Sequence, residues 1–384
     1  MHNQHQKQDG EGIAMSNSPE KKISQSHFFF ILIQSQIGVA VLSLPYSVHQ
    51  TAEGDGWIST LLAGFVVQLW MFAFLVLVRF FPERNLFGFS PQLLGKWIGR
   101  FVSFLYIIYF LLIASLVAVL QANLITGWIL TLTPFWIIYM LIIITGVLLA
   151  RENIQVIARF FSITSVIIFI FITLTSSVFT FMDIDYILPI GHSGVSNIFK
   201  AIRNVVLALT GFEILLIIYP LLNNKRKTIK TLTIANITVT SIYTLLVFSS
   251  LVVFSSEEIK LVPQPVLYML KAISFEVIER LDLIFLSIWI FPMTNSFIIY
   301  IYKASKGLQQ LFHTNTHAPF VPIVVVPILI SAFFLQNQFI VEKVGKFSEN
   351  FIYLFVFLFP LLFLLLAFVK KKMKKRGKKN EMFS

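Results

Sequence analysis

The sequence predicts an all-α integral membrane fold, on three observations. Of 384 residues, 57% are hydrophobic and only 12% charged, about half the charged share of an ordinary soluble domain. Apolar runs long enough to cross a hydrocarbon core of about 30 Å as helices recur from end to end. Two of these runs, in matching places, are interrupted by glycine and closed by proline. Together these features predict ten transmembrane helices in a 5+5 inverted repeat, with helices 1 and 6 discontinuous.

Residues 1–22 are polar and rich in Gln, Asn, Ser and Gly, and read as a disordered cytoplasmic tail in which His2 and His5 are solvated. The transmembrane domain occupies 23–369, with repeat one at about 23–180 and repeat two at about 195–369. Its ten spans are expected near 26–48, 57–80, 100–125, 134–150, 157–179, 201–222, 229–254, 278–303, 319–336 and 349–369. The stretch 82–99 mixes Phe, Leu and Trp with Arg and Lys and reads as an inner interfacial helix. Residues 181–200 carry Asp183, Asp185, Pro189 and Gly191 and then a short amphipathic stretch. Residues 255–277 read as an outer surface helix after Pro263 and Pro265. Residues 370–384 form a basic cytoplasmic tail. Its Lys370–Lys379 cluster holds eight of the 30 Lys and Arg and suits an anionic lipid surface. With the N-terminus inside, 23 of the 30 basic residues fall on inner segments, Lys303 and Lys306 among them, as positive-inside bias requires.

The net charge of +12 does not point to nucleic acid, because so much of it sits in one juxtamembrane cluster. Cysteine is absent, which excludes disulfides and thiolate chemistry. No cleavable signal is expected: the first apolar run begins after about 25 polar residues and continues into a full span. The chain has no phosphate-binding glycine loop, HExxH or nucleophile elbow, so no enzyme and no cofactor are expected. His313 and His317 have helical metal-pair spacing but no third ligand, and no metal site is expected.

The chemistry-bearing residues cluster at the two interruptions. In SQIGVAVLSLPY, Ser35 and Gln36 precede Gly38, and Pro45 comes after it. A helix broken at bilayer depth leaves backbone N–H and C=O groups that lipid cannot satisfy, so they must face protein or a wet cavity. Carbonyls near Gln36 and Ile37 would face an ammonium or cation, and N–H groups near Val39 and Ala40 a carboxylate. In the alternative, Gly38 serves only close helix packing. The sixth span has Thr210, Gly211, Phe212 and Glu213 before Pro220. Glu213 reads as the only ionisable residue well inside a span. It is either a carboxylate binding an ammonium, cation or proton, or a protonated pin between helices. Asn295, Gln121, Asn123, Tyr106 and Tyr109 either line a cavity or bond helix to helix. Arg159, Arg203 and Asp282, near span ends, are expected to snorkel to the interface.

QSQIGVAVLSLPY, the Gly211–Phe212–Glu213 triplet, ten helices and the basic tail resemble the B subunits of nutrient germinant receptors of endospore-forming bacteria, in the amino acid–polyamine–organocation superfamily. The resemblance runs from about 22 to 370. It implies a subunit of the inner spore membrane that senses a nutrient, assembles with A and C subunits, and lines its pocket with Gln36–Ala40 and Thr210–Glu213. Ala40 stands where many relatives have glycine. Helix 5 lacks the central lysine that some proton-coupled relatives use in place of sodium. A nutrient sensor, with an amino acid the expected ligand, ranks first. A proton-coupled amino acid permease ranks second and a ligand-free scaffold third.

Overall fold

The computed structural model describes residues 22–381, apart from 177–178, 180–181, 273–279 and 336. The expected disordered tail with His2 and His5, and the last three residues, lie outside the described residues.

Helix lies over each of the ten expected spans, because in an apolar run only a helix satisfies every backbone group within the segment. The first span is in two pieces. α1 (Gln25–Gln36) starts at Ser24, whose hydroxyl accepts from the His27 N–H at 3.1 Å. A 3₁₀ turn (Val39–Leu42) then leads to α2 (Leu44–Ala52). There follow α3 (Gly56–Phe80), the short α4 (Leu86–Leu94) at the expected interfacial position, α5 (Lys96–Trp128), α6 (Phe135–Ala150) and α7 (Ile154–Ser176). The sixth span is α8 (Val195–Ala208), a break, a turn at Phe212–Ile214, α9 (Leu215–Ile218) and a last turn to Leu221, its two arms meeting at 51°. Then come α10 (Thr228–Val253), α11 (Ser256–Ile259), α12 (Pro265–Ala272), α13 (Leu281–Leu311), α14 (Phe320–Phe334), α15 (Gln338–Ile352) and α16 (Phe359–Glu381). A π-helical turn, Tyr353–Leu358, joins the last two. Among the described residues, five helical stretches are individually long and apolar enough to cross a membrane, and the bent sixth span adds another.

Three expectations change. α13 runs past 303 to Leu311, which brings Lys303 and Lys306 into the helix, both buried. The helix over the last span begins at Gln338, ahead of the expected 349, and continues through the basic stretch expected as a tail, since Lys and Arg are good helix formers. The expected outer surface helix at α12 is half core: Val266, Leu267, Met269 and Leu270 are at most 1% exposed, against α2, α10 and α13. The rest of that connection, 273–279, lies outside the described residues.

The helices pack in two groups. α1, α2, α3, α8 and α10 form one, stitched where the Asn236 amide donates to the Gly64 carbonyl at 2.9 Å. α5, α6, α13 and α14 form the other, with α4 laid on α5. Both broken helices belong to the first group and are tied near their ends. At one end Ile23 N–H donates to Leu221 O at 2.8 Å, and Asn223 N–H to Ile23 O at 3.0 Å. Near the other, buried Asp55 accepts from Gly191 N–H, Ser193 N–H and the Ser193 hydroxyl at 2.7, 3.0 and 2.7 Å, fixing the loop that enters α8.

Asp55→Ala strands those three donors, at a cost of about 3 kcal/mol. The purified variant should melt earlier and be cut faster by trypsin at Lys200, just beyond the loop. Wild-type melting and cleavage would mean the loop is held by other contacts.

Candidate functional site

The first helix ends because its own side chains compete for its backbone. The Ser35 hydroxyl and Gln36 amide both donate to the Leu32 carbonyl, at 2.9 and 3.1 Å. Ile37 turns extended, at φ −86° and ψ 117°. Gly38 is next, at φ −152° and ψ −147°, and a Cβ placed there would meet only Ser296, at 3.4 Å.

Gly211 is the stricter position. It sits at φ +121°, a region L side chains rarely adopt, and its Cα lies against the Ser35 carbonyl, so that a Cβ would overlap that backbone. The two breaks therefore touch, main chain to main chain. Tyr243 of α10 bridges them: its hydroxyl lies 2.8 Å from Gln36 O and 3.3 Å from Ala208 O. The Gln36 carbonyl, expected to face an ammonium, is thus taken by a tyrosine.

Glu213 folds back over its own break. One carboxylate oxygen accepts from the Gly211 N–H at 2.7 Å. The other accepts from Lys303 Nζ at 2.6 Å, and both side chains are buried, 2% and 0% exposed. Lys303 Nζ also lies 3.4 Å from the Tyr300 ring centroid and 4.8 Å from that of Phe110. Lys303, expected on an inner connection, is therefore a second ionisable group inside the bundle, and Glu213 is not alone there. The sequence does hint at it. After Lys303 the small residues Ala304, Ser305 and Gly307 continue a packable face.

The other expected site residues divide. Ile37 is buried, Val39 half-buried and Ala40 exposed. The Thr210 hydroxyl donates to Leu207 O at 2.7 Å. Phe212 is buried packing, its ring 5.4 Å from Phe74 and 6.4 Å from Phe357. Asn295 donates to the Thr164 hydroxyl at 2.8 Å, and Gln34 of α1, which sequence reasoning passed over, donates to Ser165 at 3.0 Å. The amide oxygens of Gln34, Gln36 and Asn295 are buried without a donor among the described residues. Gln121 donates to Thr294 at 2.8 Å and Tyr106 to Phe355 O at 2.8 Å, helix to helix. Asp282 does not snorkel: it is 1% exposed and gripped by Arg280 at 2.8 and 3.0 Å. His313 and His317 diverge, one facing Arg100 and the other bonded to Ala150 O at 3.0 Å.

Exposure around the breaks is one-sided. Val39, Ala40 and Ser43 after the first, and Leu207, Ala208 and Thr210 before the second, keep accessible surface. The other side, Ile31–Gly38 and Gly211–Tyr219, is buried throughout.

A family model described as "Spore germination protein" matches residues 22–341. Spore germination protein YndE of Bacillus subtilis (strain 168) is 28% identical over 301 residues, 77% of this chain and 82% of that protein. Spore germination protein GerQB of Bacillus cereus is 26% identical over 325 residues, 83% and 88% of the two. Among solved structures, MhsT in complex with L-phenylalanine aligns over 91% of this chain and 89% of its own, with a TM-score of 0.62 and 14% identity. The manganese transporter of Eremococcus coleocola aligns over 89% and 78%, with a TM-score of 0.62 and 13% identity. At such identities the likeness is one of fold: the chain has the helical architecture of membrane transporters.

Gly211→Ala should prevent accumulation of folded protein, whereas Gly38→Ala should cost under about 1 kcal/mol; equal yield and melting for the two would refute the crossing of the breaks at Gly211. Removing one member of the buried pair, by Glu213→Gln or Lys303→Met, should cost about 3–5 kcal/mol, and the double variant less than the sum. Strict additivity in thermal melts would deny the pair.

Proposed function

The chain belongs to the spore germination protein family, and we propose that it is the nutrient-sensing subunit of a germinant receptor, its ligand a small zwitterion of the amino acid class held between the two helix breaks. The observation that carries this reading is the one-sided exposure around the breaks. In this reading the ligand sits between Val39, Ala40 and Ser43 on one helix and Leu207, Ala208 and Thr210 on the other, all of which keep accessible surface, and the buried Glu213–Lys303 pair forms the floor of the site. Freed N–H groups at the start of the second half of helix 1 suit a carboxylate. Amide oxygens of Gln36 and Asn295 suit an ammonium, as does Glu213 once released from Lys303.

The floor explains how binding becomes a signal. Glu213 belongs to one helix group and Lys303 to the other. A ligand ammonium competing for Glu213 weakens the tie between the groups, and a ligand shifts an equilibrium only through such differential contacts. In this reading the ten spans form a 5+5 repeat with both termini cytoplasmic. The subunit sits in the inner spore membrane with A and C subunits. The basic bias of the inner segments supports the orientation and survives the removal of Lys303 from the count. A proton-coupled amino acid permease is the second reading, favoured by the transporter architecture.

Spores carrying Glu213→Gln should lose at least about tenfold in sensitivity to their amino acid nutrient, the scale of one buried charge contact, with the subunit still in the membrane. Wild-type sensitivity would refute the site. Proteoliposomes holding this chain alone should show no pH-driven uptake of radiolabelled amino acids; accumulation would favour the permease.

A further inference from the structure

A groove of about 700 Å³ lies open between α3, α8 and the π-helical turn that joins α15 to α16. It is polar at one end and apolar at the other. Arg203, Asn350 and Tyr353 line the first, and Val66, Trp70, Val206 and Phe357 the second. Next to these lining residues, Phe65 and Leu69 of α3, Phe199 of α8 and Leu358 of the π-helical turn expose large apolar side chains, which on a membrane protein marks a face that meets lipid. The π-helical turn builds one wall. It sets Tyr353 and Phe357 side by side, rings 5.9 Å apart, and such turns are frequent at functional sites. Trp70 meets Phe357 edge-on at 5.0 Å from the opposite wall. At the polar end the charges come as a pair. Arg203 Nη2 lies 3.2 Å from Glu349 Oε2, and this salt bridge leaves both side chains open, 58% and 37% exposed. The guanidinium also lies 5.2 Å from the Tyr353 ring centroid, which helps to hold it over the groove.

We infer that this groove binds a zwitterionic phospholipid of the ethanolamine class. Its phosphate lies on Arg203, its ammonium on Glu349, and one acyl chain runs along Val66, Trp70, Val206 and Phe357. The charges carry the choice of ligand. An arginine fork takes a phosphate through two N–H donors. A carboxylate beside it takes the ammonium that follows the phosphate in such a headgroup. A headgroup bearing only negative charge would meet Glu349 with nothing to offset the repulsion. The apolar end sorts lipids less, because an acyl chain finds similar surroundings anywhere in the bilayer; the charged pair at its mouth makes the groove a site rather than a patch of lipid-facing surface.

The test uses the full chain, delipidated in neutral detergent and titrated separately with phosphatidylethanolamine and phosphatidylglycerol of the same short chains, read by native mass spectrometry. Wild type should hold phosphatidylethanolamine about tenfold more tightly, the scale of one charge contact. Arg203→Gln should weaken both lipids about tenfold, since both carry the phosphate. Glu349→Gln should remove the preference between them. Both substitutions fall on an open surface salt bridge and should leave the fold intact. Val66→Trp, which fills the apolar end from a half-buried position, should weaken both lipids alike. Equal affinity of wild type and all three variants overturns the assignment, as does a wild type with no preference for phosphatidylethanolamine. Absence of saturable binding by either lipid also overturns it and leaves the groove to a helix of a partner protein.

Discussion

The contact of two backbones organises this molecule. Gly211 lies against the Ser35 carbonyl, at a depth where neither helix can remain continuous. Breaking a helix in an apolar medium strands N–H and C=O groups, each costing several kcal/mol if left alone. The surroundings answer those costs in turn. Tyr243 covers a carbonyl from each break, and Glu213 turns back to take the Gly211 N–H. A carboxylate so placed is buried, and a buried charge needs a partner. Lys303 supplies it from the opposite helix group.

That chain of consequences gives the site its mechanical character. The Glu213–Lys303 bond is the charged link between the broken helices and α13, and it rests on aromatic faces of α5 and α13. Beside it, Gln34 and Asn295 both reach α7 at Thr164 and Ser165. The broken pair is thus tied to α7 and α13 by a few polar contacts set within apolar packing that buries Ile31, Leu32, Ile37, Phe212 and Ile214–Ile218. Polar contacts are what a small charged solute can compete for.

The sequence by itself determined the membrane class, helix over ten segments, and the two interruptions, because hydropathy and Gly and Pro placement act locally along the chain. It also marked Glu213 as unusual, since a lone acid in an apolar run has no local excuse. Only the tertiary structure decided what each of these residues meets. Lys303 looked like an inner-loop cation because its span seemed to end there; the helix continues, and burial converts the residue into a counter-ion. Phe212 shares a triplet with Glu213 but faces Phe74 and Phe357, and a Cβ at Gly38 would touch only the Ser296 side chain where one at Gly211 would overlap backbone. Which side chain faces a partner depends on the rotation and crossing of helices far apart in sequence. No pattern within one segment encodes that geometry.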